Sequence, residues 1–150
     1  MITLDTLFPP DHVLVLRTRD KDAALAELAK RAAALLSVPA APIGMALAAR
    51  EALGSTGIGA GLALPHARVS LTATPLALFA RLERPISWDS IDQKPVDLVF
   101  LLLSPNEPAD LHLKVLAMVT RRLRDGQVAT CLRATTDRVV LRTCLTLAHC

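Results

Sequence analysis

The sequence predicts a layered α/β domain. Long stretches with apolar residues at helical spacing alternate with short apolar runs bounded by proline, the pattern of helices packed on a sheet. The 150 residues suit one domain of ordinary size, and a hydrophobic content of 52% argues against disorder. No internal repeat, low-complexity tract or second domain is apparent, so residues 1–150 read as one domain.

In chain order, His12 to Leu16 can form a first strand. Thr18 to Ser37 reads as a helix with Leu25, Leu28, Ala32, Leu35 and Leu36 on one face, and Asp20 and Asp22 suit its positive end. Ser37 to Ala41 is a connection. Pro42 to Leu53 is a second helix, with Pro42 near its first turn and Gly54 at its C-terminal cap. Leu62 to Leu64 reads as a short buried strand, and Leu76 to Leu82 and Val96 to Leu103 as longer ones. Residues 83–95 read as a loop turning near Asp92. Ala109 to Arg124 is a third long helix. Val128 to Arg133 and Asp137 to Leu147 are shorter helical pieces, the second capped by Thr136.

Composition removes several function classes. Aromatic residues make up 3% with no Tyr, which argues against a base-stacking nucleic-acid surface. The net charge of +3 is mild but uneven. Residues 113–150 hold Lys114, Arg121, Arg122, Arg124, Arg133, Arg138 and Arg142 against Asp125 and Asp137, while residues 1–112 hold ten basic and twelve acidic residues. Solvated arginines on helix faces are the favoured reading, and a basic surface for an acidic partner is the other. Cys131, Cys144 and Cys150 are odd in number and lack framework spacing, so no secreted disulfide scaffold is expected. No signal peptide is read at Met1 to Asp5, and Ser37, Pro39, Pro42 and Gly44 break the uncharged run 32–49. The expectation is a soluble cytoplasmic protein.

The chemistry concentrates in Gly54 to His66. A glycine-rich loop leads into Leu62-Ala63-Leu64, and Pro65, which lacks a backbone N–H, is expected to stop that strand. His66 then sits at a strand end beside a loop expected to be rich in free amides, where a neutral imidazole can accept a phosphoryl group. Other glycine motifs fail. A P-loop from Gly54 would need Lys and Ser or Thr after Gly59, where Ala60 and Gly61 stand; a dinucleotide fingerprint from Gly57 would need glycine in place of Leu62. No metal-ligand spacing occurs, His12 and His149 have no companion pattern, and Cys144, His149 and Cys150 read as structural or incidental.

This block resembles the type 2 enzyme IIA domains of the bacterial phosphoenolpyruvate-dependent phosphotransferase system, the fructose, mannitol and nitrogen group. Arg50-Glu51, Gly54 to Gly59 and Gly61 to His66 carry the resemblance, supported by Pro85 to Trp88, Pro95 to Phe100 and Leu111-His112-Leu113. Ala67 departs from the glycine common after the histidine. The resemblance implies a mixed sheet with helices on both sides, which periodicity alone does not set. It implies that His66 is phosphorylated, that His112 holds His66 or hydrogen-bonds the phosphoryl oxygens, and that Arg50 stabilises the transferring charge. Arg50 would also be favourable there on helix-dipole grounds alone, and His112 can equally be a boundary residue of an amphipathic helix. Glu51 is expected to make a surface pair.

The implied donor is HPr or its nitrogen-branch paralogue, and no cofactor is needed. The implied acceptor or partner is a IIB domain or a regulated target protein, such as a transporter or kinase, with membrane association only through partners. The Gly54 to Gly59 block and the Pro85 to Val99 region look more like the nitrogen-regulatory branch. The alternative is a stand-alone fructose- or mannitol-type component that passes the phosphoryl group to IIB. A binding module that has lost phosphotransfer conflicts with the intact Arg50, His66 and His112 set, and a nucleotide-binding protein conflicts with the missing P-loop lysine.

Overall fold

In the computed structural model, which describes residues 2–147, the two long apolar runs pair as the antiparallel centre of one mixed sheet. A short helix α1 (Leu4–Leu7) precedes strand β1 (Val13–Leu16) and helices α2 (Lys21–Leu36) and α3 (Ala40–Ala52). Strands β2 (Gly57–Gly59), β3 (Leu62–Ala63), β4 (His66–Arg68), β5 (Leu76–Ile86) and β6 (Val96–Ser104) follow, then helices α4 (Ala109–Arg124), α5 (Gly126–Arg133) and α6 (Arg138–Thr146). The strand order is β1-β5-β6-β3-β2, and β4 pairs with β6 further along the side that β3 uses. β1 runs parallel to β5, and β3 and β4 run parallel to β6; the β5–β6 and β2–β3 pairs are antiparallel.

Alternation along β6 explains the layers. Val99, Leu101 and Leu103 enter one core with Leu25, Leu28, Ala32, Ile43 and Leu47 of α2 and α3. Leu98, Phe100 and Leu102 enter the other with Val115, Val119, Leu123, Leu132 and Leu141 of α4, α5 and α6. A strand buried on both faces reads as a continuous apolar run rather than an alternating one, which is why Val96 to Leu103 was legible as a strand without its faces being legible.

Several expectations change. The first strand begins at Val13, because Pro10–His12 forms a 3-10 turn. Strand β5 runs on to Ile86, which pairs with Val96 across a register irregularity, so residues 83–86 are strand rather than loop. Helix α1 and strand β2 were too short to carry a periodic signal. The cap of α6 is Asp137, whose carboxylate accepts from the Val139 N–H at 2.8 Å, not Thr136. Cys131 and Cys144 form a disulfide between α5 and α6, with Cα atoms 6.0 Å apart. His149 and Cys150 lie outside the described residues. Among those described, no helix is long and apolar enough to cross a membrane.

Four arginines of the last third are also reassigned, while Arg121 and Arg124 are exposed as expected. Arg138 donates to the carbonyls of Val13 and Pro10 at 2.9 and 3.1 Å, and Arg142 to the Phe8 carbonyl at 2.6 Å and the Asp5 carboxylate at 3.1 Å. Arg122 donates to the Cys144 and Leu145 carbonyls in the last turn of α6, at 2.8 and 3.0 Å. Arg133 pairs with Asp97 at 2.9 Å and donates to the Ala60 carbonyl at 2.8 Å. These four fasten the C-terminal helices to one another and to the rest of the chain through main-chain carbonyls, each of which can accept two bonds. They are not a solvated set.

Candidate functional site

The site is set by how β4 lies on β6. His66 is opposite Leu102 and Arg68 opposite Ser104. Pro65 interrupts the strand but does not end it. Its carbonyl still accepts from the Leu102 N–H at 3.1 Å, so the pairing with β6 resumes past the one ladder bond that Pro65 cannot donate, and the other side of β4 carries no further strand among the described residues. His66 therefore opens a strand on an uncovered edge. Ala67 turns into the α2–α3 core, so His66 and Arg68 face the other side of the sheet, toward α4.

The three residues singled out from the sequence come together here. The connection after β6 leads into α4, whose first turn carries the buried His112. The His66 and His112 rings lie 5.3 Å apart, centre to centre, and tilt by 55°. Arg50 reaches in from the last turn of α3, on the opposite helical layer. Its Nε is 3.3 Å from His66 Nε2, and its Nη1 donates to the Gly54 carbonyl at 2.9 Å. Arg68 donates to the Ala109 carbonyl at 2.8 Å, tying β4 to the start of α4.

The tautomer of His66 follows from its partners. Nδ1 lies 2.7 Å from the Leu64 carbonyl, which can only accept, so Nδ1 carries the proton. Nε2 keeps its lone pair and accepts from Arg50. Burial lowers the His66 pKa most; the Leu64 carbonyl opposes this, Arg50 lowers it further and Glu51 raises it, and the net shift is downward. His112 is lowered further, to about 4, first by burial and then by His66 and Arg68. Both rings are therefore neutral near pH 7. His112 Nδ1 lies 2.7 Å from the hydroxyl of Ser104, which is itself buried.

The glycine loop is held differently from the expectation of free amides. The Thr56 N–H donates to Glu51 at 3.2 Å, the Gly57 N–H to Ser55 Oγ at 3.0 Å, and the Ala60 N–H to Asp92 at 2.9 Å. Glu51 is not in a surface pair. Its side chain is 8% exposed, bonds Lys21 Nζ at 2.7 Å and takes the Thr56 hydroxyl on its other oxygen. Lys21 Nζ and Ser55 Oγ both donate to the Trp88 carbonyl, at 3.3 and 2.6 Å, and the buried Trp88 indole donates to Thr56 Oγ1 at 3.1 Å. At Gly57 a Cβ would overlap the Ser90 side chain, so glycine there allows close approach. One signal pointed to Glu51: an acidic residue in the last turn of a helix opposes the helix dipole and calls for a partner. Nothing comparable marked Ser104.

The pattern of the phosphoenolpyruvate-dependent sugar phosphotransferase system EIIA 2 family matches residues 6–146. The chain belongs to that family. It is 42% identical over 142 residues to a nitrogen regulatory protein of Bradyrhizobium diazoefficiens, covering 94% of this chain and 93% of that one. The crystal structure of nitrogen regulatory protein IIA-Ntr from Neisseria meningitidis superposes with a TM-score of 0.89 at 29% identity, over 95% of this chain and 99% of that one. The mannitol IIA structure from Escherichia coli shares the fold, with a TM-score of 0.78 at 19% identity over 93% of this chain and 99% of that one.

Two outcomes are expected. Glu51→Gln should destabilise the protein by about 2–4 kcal/mol in denaturant unfolding, since it leaves Lys21 with its main partner neutralised in a largely buried place. Amide exchange at Thr56 should accelerate. Stability should also fall as pH drops from 6.5 toward 4, because the unfolded chain takes up a proton at position 112 that the folded chain refuses. The fall should be smaller in His112→Gln, and an equal fall would contradict this origin.

Proposed function

We propose that this chain is a phosphohistidine carrier, with His66 accepting a phosphoryl group through Nε2 from HPr or its nitrogen-branch paralogue. The observation that carries the reading is the pair of bonds on one ring: Nδ1 is spent on the Leu64 carbonyl, and the free Nε2 lone pair faces a guanidinium. Family membership supports the reaction class.

The step needs no cofactor. His66 Nε2 attacks phosphorus, the new N–P bond forms as the bond to the donor's histidine nitrogen breaks, and the electron pair leaves with the donor's ring. Nδ1 keeps its proton, and the Leu64 carbonyl stabilises the positive charge that the His66 ring acquires. Negative charge spreads over three equatorial oxygens, so the protein's contribution is positioning and electrostatics. Arg50, anchored at Gly54, exchanges its weak bond to Nε2 for bonds to those oxygens. His112 supplies a neutral ring on the other side.

The reading of the chain as mainly a nitrogen-related regulator, working in the cytoplasm, is supported by relatives that carry the nitrogen regulatory name. A phosphoryl group adds about −1.5 to −2 charge at the open edge of the sheet. A partner protein would then distinguish the two states by differential affinity. Transfer onward to a IIB domain for sugar uptake is the outcome that would replace the regulatory reading.

Incubation with enzyme I, HPr and phosphoenolpyruvate should give acid-labile phosphate that is absent from His66→Ala. Arg50→Ala should remain folded and transfer on the order of 10²–10³ more slowly. Undiminished labelling of His66→Ala would overturn the assignment.

A further inference from the structure

Ser104 ends β6 one face-register from His66, where β4 and β6 leave the sheet together. It is 1% exposed, and its main-chain carbonyl is taken by the Val69 N–H at 2.8 Å. Its hydroxyl has one side-chain partner among the described residues, His112 Nδ1, at 2.7 Å. The position matters because Nδ1 and Nε2 of a neutral imidazole cannot both carry the proton. Whatever fixes Nδ1 decides what Nε2 can do.

Two proton arrangements satisfy the 2.7 Å contact. In one, His112 Nδ1–H donates to the hydroxyl oxygen. The buried hydroxyl proton then has no acceptor among the described residues, and Nε2 becomes a lone pair. In the other, the hydroxyl donates to Nδ1, the hydroxyl proton is used, and Nε2 carries a hydrogen. A buried hydroxyl without an acceptor loses its desolvation cost uncompensated, so the second arrangement is preferred. It also suits an arriving anion. Two neighbouring rings that both offered lone pairs would repel phosphoryl oxygens, whereas one lone pair on His66 and one N–H on His112 bind them.

We propose that Ser104 is a positioning residue, whose hydroxyl donates to His112 Nδ1 and so fixes His112 as an Nε2–H donor toward the phosphoryl group on His66. The inference rests on the reading of His66 as the phosphoryl acceptor. Ser104 touches neither the phosphorus nor its oxygens and acts only through the His112 ring. The strand register places the serine, and the first turn of α4 places the ring. Arg68, opposite Ser104 on β4, helps by holding the start of α4 through the Ala109 carbonyl.

The test separates this inference from the reading beneath it. In unphosphorylated protein with nitrogen-15-labelled histidine at pH 7.5 or so, well above the ordinary histidine pKa of about 6.5, imidazole NMR reads the His112 tautomer directly. Wild type should show hydrogen on Nε2. Ser104→Ala should shift His112 toward the Nδ1–H form or a mixture, and Ser104→Thr, which keeps the hydroxyl, should restore Nε2–H. With phosphorylated HPr as donor, Ser104→Ala should lower the maximal rate of His66 labelling by about 10- to 100-fold with little change in KM, an effect of the size found for residues that orient another functional group. A wild-type His112 bearing hydrogen on Nδ1 overturns the proposal without any variant. A Ser104→Ala protein whose tautomer is unchanged overturns it too, whatever its rate. If wild type takes no label on His66, the carrier reading has failed and this inference falls with it.

Discussion

The parallel ladder between β4 and the last three residues of β6 is the constraint on which the site depends. It resumes past a proline because the Pro65 carbonyl still accepts from the Leu102 N–H, although Pro65 has no N–H to donate to the ladder. That one pairing puts His66 on an uncovered edge, turns it toward α4, and sets Arg68 opposite Ser104. The first turn of α4 then brings His112 over the same face. Arg50 arrives from the other helical layer, around the edge that no strand among the described residues covers. Three elements from two layers can meet at one ring only because the sheet stops there.

Burial and hydrogen bonding then divide the labour between two similar rings. Burial pushes both histidines toward the neutral form, which a nucleophile requires. The Leu64 carbonyl works against that on His66, and the opposition is useful. It selects the tautomer with a free Nε2 and, in the proposed transfer, would stabilise the positive charge that the His66 ring acquires. On the second ring the Nδ1 partner is a hydroxyl, not a carbonyl. In the proposed transfer the two Nε2 atoms can therefore differ, one a lone pair and the other a donor.

Much of this was legible in the sequence, and the failures have physical causes. Helix spacing and proline-bounded apolar runs revealed the α/β alternation, and Pro65-His66 after the glycine block singled out the ring that we propose as the phosphoryl acceptor. Residues 83–86 were missed because Glu83, Arg84 and Pro85 are exposed at the outer end of β5, where a strand needs no apolar pattern. Glu51 was taken for a surface residue because burial of an acid depends on Lys21 and Thr56 arriving from elsewhere in the chain. Arg133, Arg138 and Arg142 were taken for solvated residues because the carbonyls they satisfy, at Ala60, Val13 and Phe8, are more than 70 residues away in sequence. Ser104 carried no signal at all, since its meaning comes from the β4–β6 register and the placement of α4.

The central claim is that His66 reacts through Nε2 because Nδ1 is held by Leu64. Phosphorus-31 and nitrogen-15 NMR of the phosphorylated protein, with histidine labelled at both ring nitrogens, reads the N–P bond directly. The account predicts phosphorus coupled to Nε2 of residue 66 and a proton on Nδ1. Phosphorus on Nδ1 of His66, or on His112, would contradict it.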